Sequence, residues 1–389
     1  MIKVLYINSV FPNPVEPNKG NFVLKNIAAF PNEVDVMVIA PVPLFLSSWR
    51  GNRAVRIPNK EVVSLGARQI TVLRPRFIVV PRNILQSLIP LLEYLMLRTT
   101  VNRLIKQWKP DIIHANFGTP DGIAAALISR ETGIPLVITE HQAKLRDFLN
   151  KKLIGKQMLF AYHTAMRVIC VSSFSAGIIK DFCNTLSNIV VIPNGVDFSR
   201  FSLRPAGTSL QKAIYVGYLI KHKGVHILLH AMAVLMHRGM KLELSIVGDG
   251  NEKDNLKALC RSLGIDNHVK FHGEKKADKV ASLMSQHDFM IHPSFIESFG
   301  IVMVEALAAG LPVLSTYNGG AEDIITDEIG ILVKPNDVEA LAEGIITMMN
   351  KWASYNPTLL REIAEDRFSM DNVANRTIML YKECLDAKR

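Results

Sequence analysis

Glu297 and Glu305 stand eight positions apart in the stretch "ESFGIVMVEALAAG", separated mainly by small or apolar residues. A carboxylate accepts two hydrogen bonds and so suits a vicinal diol. The intervening pattern predicts a helix that starts near 298–301 and stops at Gly310, with Pro312 beyond it where a helix cannot continue. A helix start presents free backbone N–H groups and the positive end of the dipole. Gly300 brings no side chain to that place, so an anion can approach closely, and a diphosphate is a natural occupant. Glu297 would then precede the helix and offer its oxygens to sugar hydroxyls on one side of the anion. Glu305, inside the helix, would face ribose hydroxyls on the other. Taken alone, the spacing fits equally well a helix N-terminal acid followed by an ordinary surface acid.

Short apolar runs must position this segment. "IKVLYIN", "VDVMVIAP", "DIIHAN", "PLVITEH", "RVICVS" and "NIVVIPNG" read as buried strands in the first half, and "KAIYVG", "LELSIVGDG", "VKFHG", "DFMIHPS" and "LPVLST" in the second. Helical patterns separate them. Strand and helix in alternation mean parallel sheets covered on both faces, an α/β architecture. A seam rich in Pro, Gly and Ser, "VIPNGVDFSRFSLRPAGTSLQ", separates the two series. The expectation is two Rossmann-like, doubly wound domains, 1–197 and 198–370, with a last helix at about 371–389 returning to the first. Ligands of open parallel sheets sit beyond the carboxyl ends of the strands, so a cleft between the domains is the expected binding place.

The chain has 389 residues and 49% apolar residues, enough for two cores. Cys170, Cys183, Cys260 and Cys384 are scattered and read as reduced thiols of a cytoplasmic protein. The start "MIKVLYINSVF" lacks the features of a signal peptide and reads as a first strand. No apolar run is long enough to span a membrane. Residues 1–195 hold 23 Lys and Arg against 11 Asp and Glu, a net of +12, whereas 196–389 come to −2. A basic half beside a neutral one reads either as a merely soluble basic surface or as a first domain that meets an anionic partner: an anionic bilayer, nucleic acid or a phosphorylated acceptor. The segment 84–108, "ILQSLIPLLEYLMLRTTVNRLIKQW", gathers apolar residues with Arg82, Arg98, Arg103, Lys106 and Lys109 around them. It reads either as an amphipathic surface touching lipid or as a core helix with a solvated basic side, interrupted at Pro90.

The longer stretch "HPSFIESFGIVMVEALAAGLPVLSTYNGGAEDI" resembles the donor-site signature of the retaining glycosyltransferases usually called family 4, which have the two-domain GT-B fold. "YVGYLIKHKGVHILLHAMA" resembles the phosphate-binding turn that opens the second domain of that family. "LSIVGDGNEKDNL", "VKFHG", "VVIPNGVDFSRF", "FPNPVEPNKGNFV", "DIIHANFGTPDGIAAAL" and "PLVITEH" match further segments in the same order. The resemblance spans nearly the whole chain and is densest between 212 and 333.

The resemblance implies site residues. Glu297 would contact the donor sugar near the reacting centre and Glu305 the nucleotide ribose. Backbone groups of Ser298, Phe299, Gly300 and Ile301 would meet the sugar and the phosphates. Lys223 would neutralise the diphosphate, with Gly217 and Lys221 beside it, and the base would lie near Gly273 and the residues up to 275. Gly20 would let the loop after the first strand approach the donor, while Lys19 and Asn21 face the acceptor. His141 would stand near sugar and acceptor, as a catalytic residue with Glu297 and Lys223. Asn116, His272 and His292 receive no role. Tyr218 stands where many members carry arginine, and Lys221 is near enough in sequence to restore the charge.

The implied reaction is transfer of a hexosyl or N-acetylhexosaminyl group from a nucleotide sugar, UDP-linked with GDP as the alternative, to a saccharide acceptor. Retention would follow from front-face attack. No cofactor and no metal are expected, since the sequence has no Asp-x-Asp at a strand end and no His/Cys cluster of ligand spacing. A lipid-linked acceptor, an anionic membrane surface at the cytoplasmic face and bacterial-type polysaccharide or glycolipid assembly complete the expectation, with no nucleic-acid partner. Two other readings fit the same fold: a hydrolysing nucleotide-sugar epimerase, and a non-catalytic binding subunit with a decayed site.

Overall fold

The computed structural model describes residues 1–17, 19–45, 57–65, 68–79, 86–205 and 212–388. Part of the expected seam, 206–211, and Arg82 and the first two residues of the segment 84–108 lie outside them. The chain divides into two compact units, Met1–Gly195 with Met370–Arg389, and Val196–Ser369. The first junction falls two residues before the expected one. The last helix, Met370–Asp386, is part of unit one.

Unit one is built on strands β1 (Ile2–Ile7), β2 (Val34–Ile39), β3 (Val42–Phe45), β4 (Lys60–Leu65), β5 (Arg68–Leu73), β6 (Arg76–Val79), β7 (Ile112–Asn116), β8 (Leu136–Glu140), β9 (Arg167–Cys170) and β10 (Ile189–Val191). Eight of them form one sheet in the order β10-β9-β8-β7-β1-β2-β5-β4, and β3 pairs with β6. All pairs are parallel except β4 with β5. Every residue of β7 and β8 is buried, as apolar runs covered on both faces require. Side chains alternate across the sheet. Leu5 and Ile7 enter a core with the helices Ile89–Gln107, Ile123–Thr132 and Lys152–Thr164. Val4 and Tyr6 enter another with the helix Asn21–Ala28 and the last helix.

Unit two adds β11 (Lys212–Val216), β12 (Glu243–Val247), β13 (Val269–Gly273), β14 (Phe289–His292), β15 (Val313–Thr316) and β16 (Gly330–Val333), all parallel, in the order β13-β12-β11-β14-β15-β16. Strands β3 to β6 and β16 were not anticipated. The hairpin β4–β5 alternates instead of running apolar, because β4 is an antiparallel edge with one face toward water.

Both sheets reverse their strand order beside a central strand. The reversal lies between β1 and β7 in unit one and between β11 and β14 in unit two. At such switch points the connections leave the carboxyl ends of adjacent strands in opposite directions, which opens a crevice for ligands.

The helix Ile89–Gln107 begins with Pro90 in its first turn. The expected interruption is therefore a start, because a first-turn proline loses no helical hydrogen bond. Its core side carries Leu97, Val101 and Leu104, while Leu91, Leu95 and Met96 are exposed. Leu88 and, on the helix Lys152–Thr164, Leu153 are also exposed. The turn Gln86–Leu88 just before the first of these helices is tied to the second by Gln157 Nε2 donating to Ser87 O, and Lys151, Lys152 and Lys156 are exposed alongside.

Candidate active site

In unit two the site forms at the switch point. The connection after β11 carries Gly217, Tyr218, Lys221 and Lys223, and the one after β14 carries Glu297 to Gly300. The backbone joins them, with Phe295 N–H donating to His222 O at 2.9 Å. Lys223 Nζ then reaches Glu297 Oε1 at 2.5 Å. His292, the last residue of β14, donates from Nε2 to the same oxygen at 2.8 Å. His292 is 2% and Glu297 8% exposed. Burial alone would push the Glu297 carboxyl up. The hydrogen bonds and charges of His292 and Lys223 outweigh it and hold the carboxyl at about 2. Glu297 is thus a carboxylate at any working pH. Its Oε2 makes no hydrogen bond among the described residues, and its backbone N–H donates to Asn318 O.

The helix Ile301–Ala308 starts at Gly300, whose φ of 93° lies in the left-handed region. The position needs glycine for its conformation, since a Cβ there would meet only the movable methyl end of Met303. Glu305 is half-buried on this helix, and Gly310 ends it. The Phe299 side chain is 1% exposed and packs on Phe368, which leaves its backbone, the part expected to meet the donor, to face a ligand. Gly273 closes β13 and accepts a hydrogen bond from Gly248 N–H, while Gly217 N–H donates to Val247 O. The carboxyl ends of β11, β12 and β13 therefore lie side by side. Lys221 and Tyr218 are exposed, the latter at 72%.

His292 has a place in this cluster that the sequence reading did not give it. The signal was its position at the end of a buried strand, five residues before the first acid. His272 bonds Ser245 Oγ at the neighbouring strand and lies outside the cluster.

Unit one gathers the other expected residues at its own switch point. Gly20, with φ of 66°, caps the helix Asn21–Ala28 and lies against the loop after β1, where a Cβ would strike Val10 O at 1.7 Å. Lys19 pairs with Glu16 at 3.5 Å. His141, after β8, rests on Phe22 of that helix with ring centroids 4.8 Å apart, and on Phe117 at 5.3 Å. This brings His141 beside the helix that Gly20 and Asn21 begin. Asn116, assigned no role, accepts from His141 Nε2 at 2.9 Å and so fixes the ring, whose Nδ1 has no partner among the described residues. Burial holds the imidazole at about 3, neutral at pH 7. Glu140, next in the chain, is fully buried and accepts from Gly118 N–H, Gln142 N–H and Tyr162 Oη. It ties together the loops on which His141 and Phe117 sit, and its apolar strand context gave no sequence signal for that task.

Among the described residues no group of His, Cys, Asp and Glu is arranged to hold a metal, and no helix is long and apolar enough to cross a membrane.

The family model described as glycosyl transferases group 1 matches residues 201–364, and the one described as glycosyltransferase family 4 matches 51–200. The chain is 28% identical to the putative teichuronic acid biosynthesis glycosyltransferase TuaC of Bacillus subtilis, over 88% of each chain. It is 28% identical to the uncharacterized glycosyltransferase MJ1607 of Methanocaldococcus jannaschii over 61% of its own length, and it spans 65% of that relative. Its fold matches Alr3699/HepE of Anabaena, solved in complex with UDP, at a TM-score of 0.74 and 22% identity, over 98% of this chain and 100% of that one.

Proposed function

The chain belongs to the family 4, group 1 glycosyltransferases of GT-B fold, and from that membership we propose that it transfers a hexosyl or N-acetylhexosaminyl group from a UDP-sugar to a saccharide acceptor with retention. The observation that carries this reading is the convergence of Lys223 and His292 on Glu297 beside the helix start at Gly300. Cation, carboxylate and free N–H groups are the parts needed to hold a sugar diphosphate and to oppose the charge of its departure.

In the step itself, the bond from the anomeric carbon to the diphosphate oxygen breaks. The acceptor oxygen bonds to the same face of that carbon, and its proton passes to the departing diphosphate oxygen. The products are the glycosylated acceptor and UDP. Lys223 and the N–H groups of 298–301 oppose the growing charge, so the reaction requires no metal. Glu297, fixed through Oε1, offers Oε2 to the sugar hydroxyls, and Glu305 holds the ribose. His141 and Asn21 line the acceptor side, and Lys19 supplies charge there. Lys221 supplies the charge that Tyr218 lacks. Positioning and charge placement, not an activated nucleophile, account for the rate.

UDP is favoured over GDP because the Anabaena protein of similar fold was solved with UDP. A lipid-linked saccharide is the acceptor, in polysaccharide assembly at the cytoplasmic face of a membrane. Its support is the net +12 of residues 1–195, the exposed Leu91, Leu95 and Met96, and the relative named for teichuronic acid biosynthesis.

Melting temperature in the presence of UDP, GDP and their sugars tests the donor. UDP and one UDP-sugar should raise it by mass action. Absence of a shift with every nucleotide sugar rejects the reading. Turnover of a nucleotide sugar without any acceptor would make the protein an epimerase instead.

A further inference from the structure

Glu93 and Asp121 are both 0% exposed in unit one. Glu93 lies on the core side of the helix Ile89–Gln107, four residues before Leu97 and eight before Val101. Asp121 lies in the turn Gly118–Gly122 that follows β7. Its Oδ2 accepts from both Ser9 N–H and Ser9 Oγ at 2.9 Å. Counted as carboxylates, Glu93 Oε1 and Oε2 and Asp121 Oδ1 have no donor among the described residues. Yet the helix that carries Glu93 packs against the turn that carries Asp121, which brings the two orphaned carboxyls together in one buried place. Two buried negative charges side by side are strongly disfavoured, and one shared proton replaces their repulsion by a hydrogen bond.

We propose that Glu93 keeps that proton and donates it to Asp121, and that the pair is a buried clasp holding the loop after β1 in its substrate-binding position. Asp121 is then a positioning residue that acts through Ser9. The mechanical path is short. Asn8 Nδ2 donates to Val10 O and Val10 N–H to Asn8 Oδ1, which makes the loop stiff at Ser9. Gly20 closes on the same Val10 carbonyl and starts the helix whose Phe22 supports His141. That this loop meets substrate rests on the proposed function, whereas the clasp itself does not.

The surroundings favour this distribution of charge. Burial first, then the neighbouring Asp121, pushes Glu93 well above the usual carboxylate range. Burial raises Asp121 to about 6, against the pull of the Ser9 bonds, Glu93 and the Lys19 charge. Glu131, on the helix packed against Glu93's own, is engaged at the surface by Tyr94 and Arg98. Arg130 of that helix lies over the Phe160 ring, and Arg76 of β6 donates to Ile57 O. Glu140 takes its donors from Gly118, Gln142 and Tyr162. Among the described residues, Lys19 is thus the cation whose charge bears on Asp121. Both folded-state values are raised, so the folded protein holds protons that the unfolded chain releases. The stabilisation from the clasp is full at acid pH and is lost as pH rises through the raised values.

Difference infrared spectroscopy of the full chain across a pH series tests the protonation. A carboxylic-acid carbonyl band should persist at pH 7 and vanish in Glu93→Gln. Absence of the band, or its survival in that variant, overturns the proposal. Hydrogen exchange tests the clasp. In Asp121→Asn the amides of 9–21 should exchange about tenfold faster, as expected for one lost charge-assisted hydrogen bond, with β7 and β8 unchanged. In Glu93→Gln, whose amide still donates, they should keep the rate of the unaltered protein. Uniform acceleration across unit one in Asp121→Asn would make the residue merely structural and would reject the clasp. Neither readout depends on turnover, so failure of the proposed reaction remains a separate result.

Discussion

Lys223 Nζ lies 2.5 Å from Glu297 Oε1, although 74 positions separate the two residues and they follow different strands. The lysine expected to neutralise a diphosphate is thus already bonded to the carboxylate expected to hold the sugar. Each charge holds the other in a nearly dry place until a ligand shares them.

Glu297→Gln should lower kcat about 100-fold, a loss typical of a preorganised charge in an active site. Unchanged kcat would remove Glu297 from the chemistry. The same variant has a pH signature. The folded-state carboxyl sits at about 2 against an ordinary 4.5, so the stabilisation it brings is present above 4.5 and lost as pH falls through about 2. Acid denaturation followed between those limits should be steeper in the unaltered protein than in the variant.

For Lys223→Ala, turnover should fall more than donor affinity, because the ammonium opposes charge that grows as the diphosphate leaves. Steady-state kinetics separate the two, and a rise in KM alone would make the lysine a ground-state binder. Lys221→Ala should also lower activity if it replaces the arginine absent at Tyr218, and a neutral result would dismiss that compensation.

Glu305→Ala should weaken UDP binding by about 1.5–3 kcal/mol, the range for a lost hydrogen bond to a charged group. Calorimetric titration with UDP measures it, and equal affinity in both proteins would dismiss the ribose assignment.

These residues show how much of the site was legible in the sequence. Glu297, Gly300 and Lys223 could be read because each stands just beyond a buried apolar strand, where main-chain regularity gives way to ligand contact. The helix was legible from Gly310 and Pro312 at its end. His292, Glu140, Asp121 and Glu93 were not. Their partners come from distant segments, and a polar residue inside or beside an apolar run looks the same whether it turns inward to a partner or outward to water. The hairpin β4–β5 escaped for a different reason. Its alternating pattern is the mark of a half-exposed edge, which lacks the continuous apolar run that makes a doubly covered strand legible.

Tyr381→Phe keeps the ring and deletes a hydroxyl that bonds His114 Nδ1 at 2.5 Å and Tyr6 Oη at 2.9 Å in the core of unit one. Leaving those two groups short of a partner should cost about 1–3 kcal/mol. Chemical denaturation reads this directly, and an unshifted midpoint would show that the hydroxyl adds nothing.

Co-sedimentation with vesicles tests the membrane assignment. The protein should bind anionic vesicles, bind neutral ones less, and lose binding as salt rises, because exposed charges are screened beyond about 8–10 Å at moderate ionic strength. Leu91→Glu with Leu95→Glu should reduce the anionic binding further by removing apolar contact. Equal binding to both vesicle types, or to neither, rejects the membrane reading.

Tyr381 also has a consequence for the order in which the protein can be made. Unit one needs two segments that flank unit two, Met1–Gly195 and the helix Met370–Asp386. Val373, Ile378, Leu380, Tyr381 and Cys384 fill the same core as Val4, Tyr6 and Val36. Unit two is one uninterrupted stretch, and its ends meet where Val196 N–H donates to Phe368 O. A chain emerging from the ribosome can therefore finish its second unit before its first. The first unit waits, with His114 and Tyr6 lacking their shared hydroxyl, until the helix Met370–Asp386 has emerged. Synthesis of that helix is thus a precondition for a sealed first unit, and a chain interrupted before Tyr381 carries an open one.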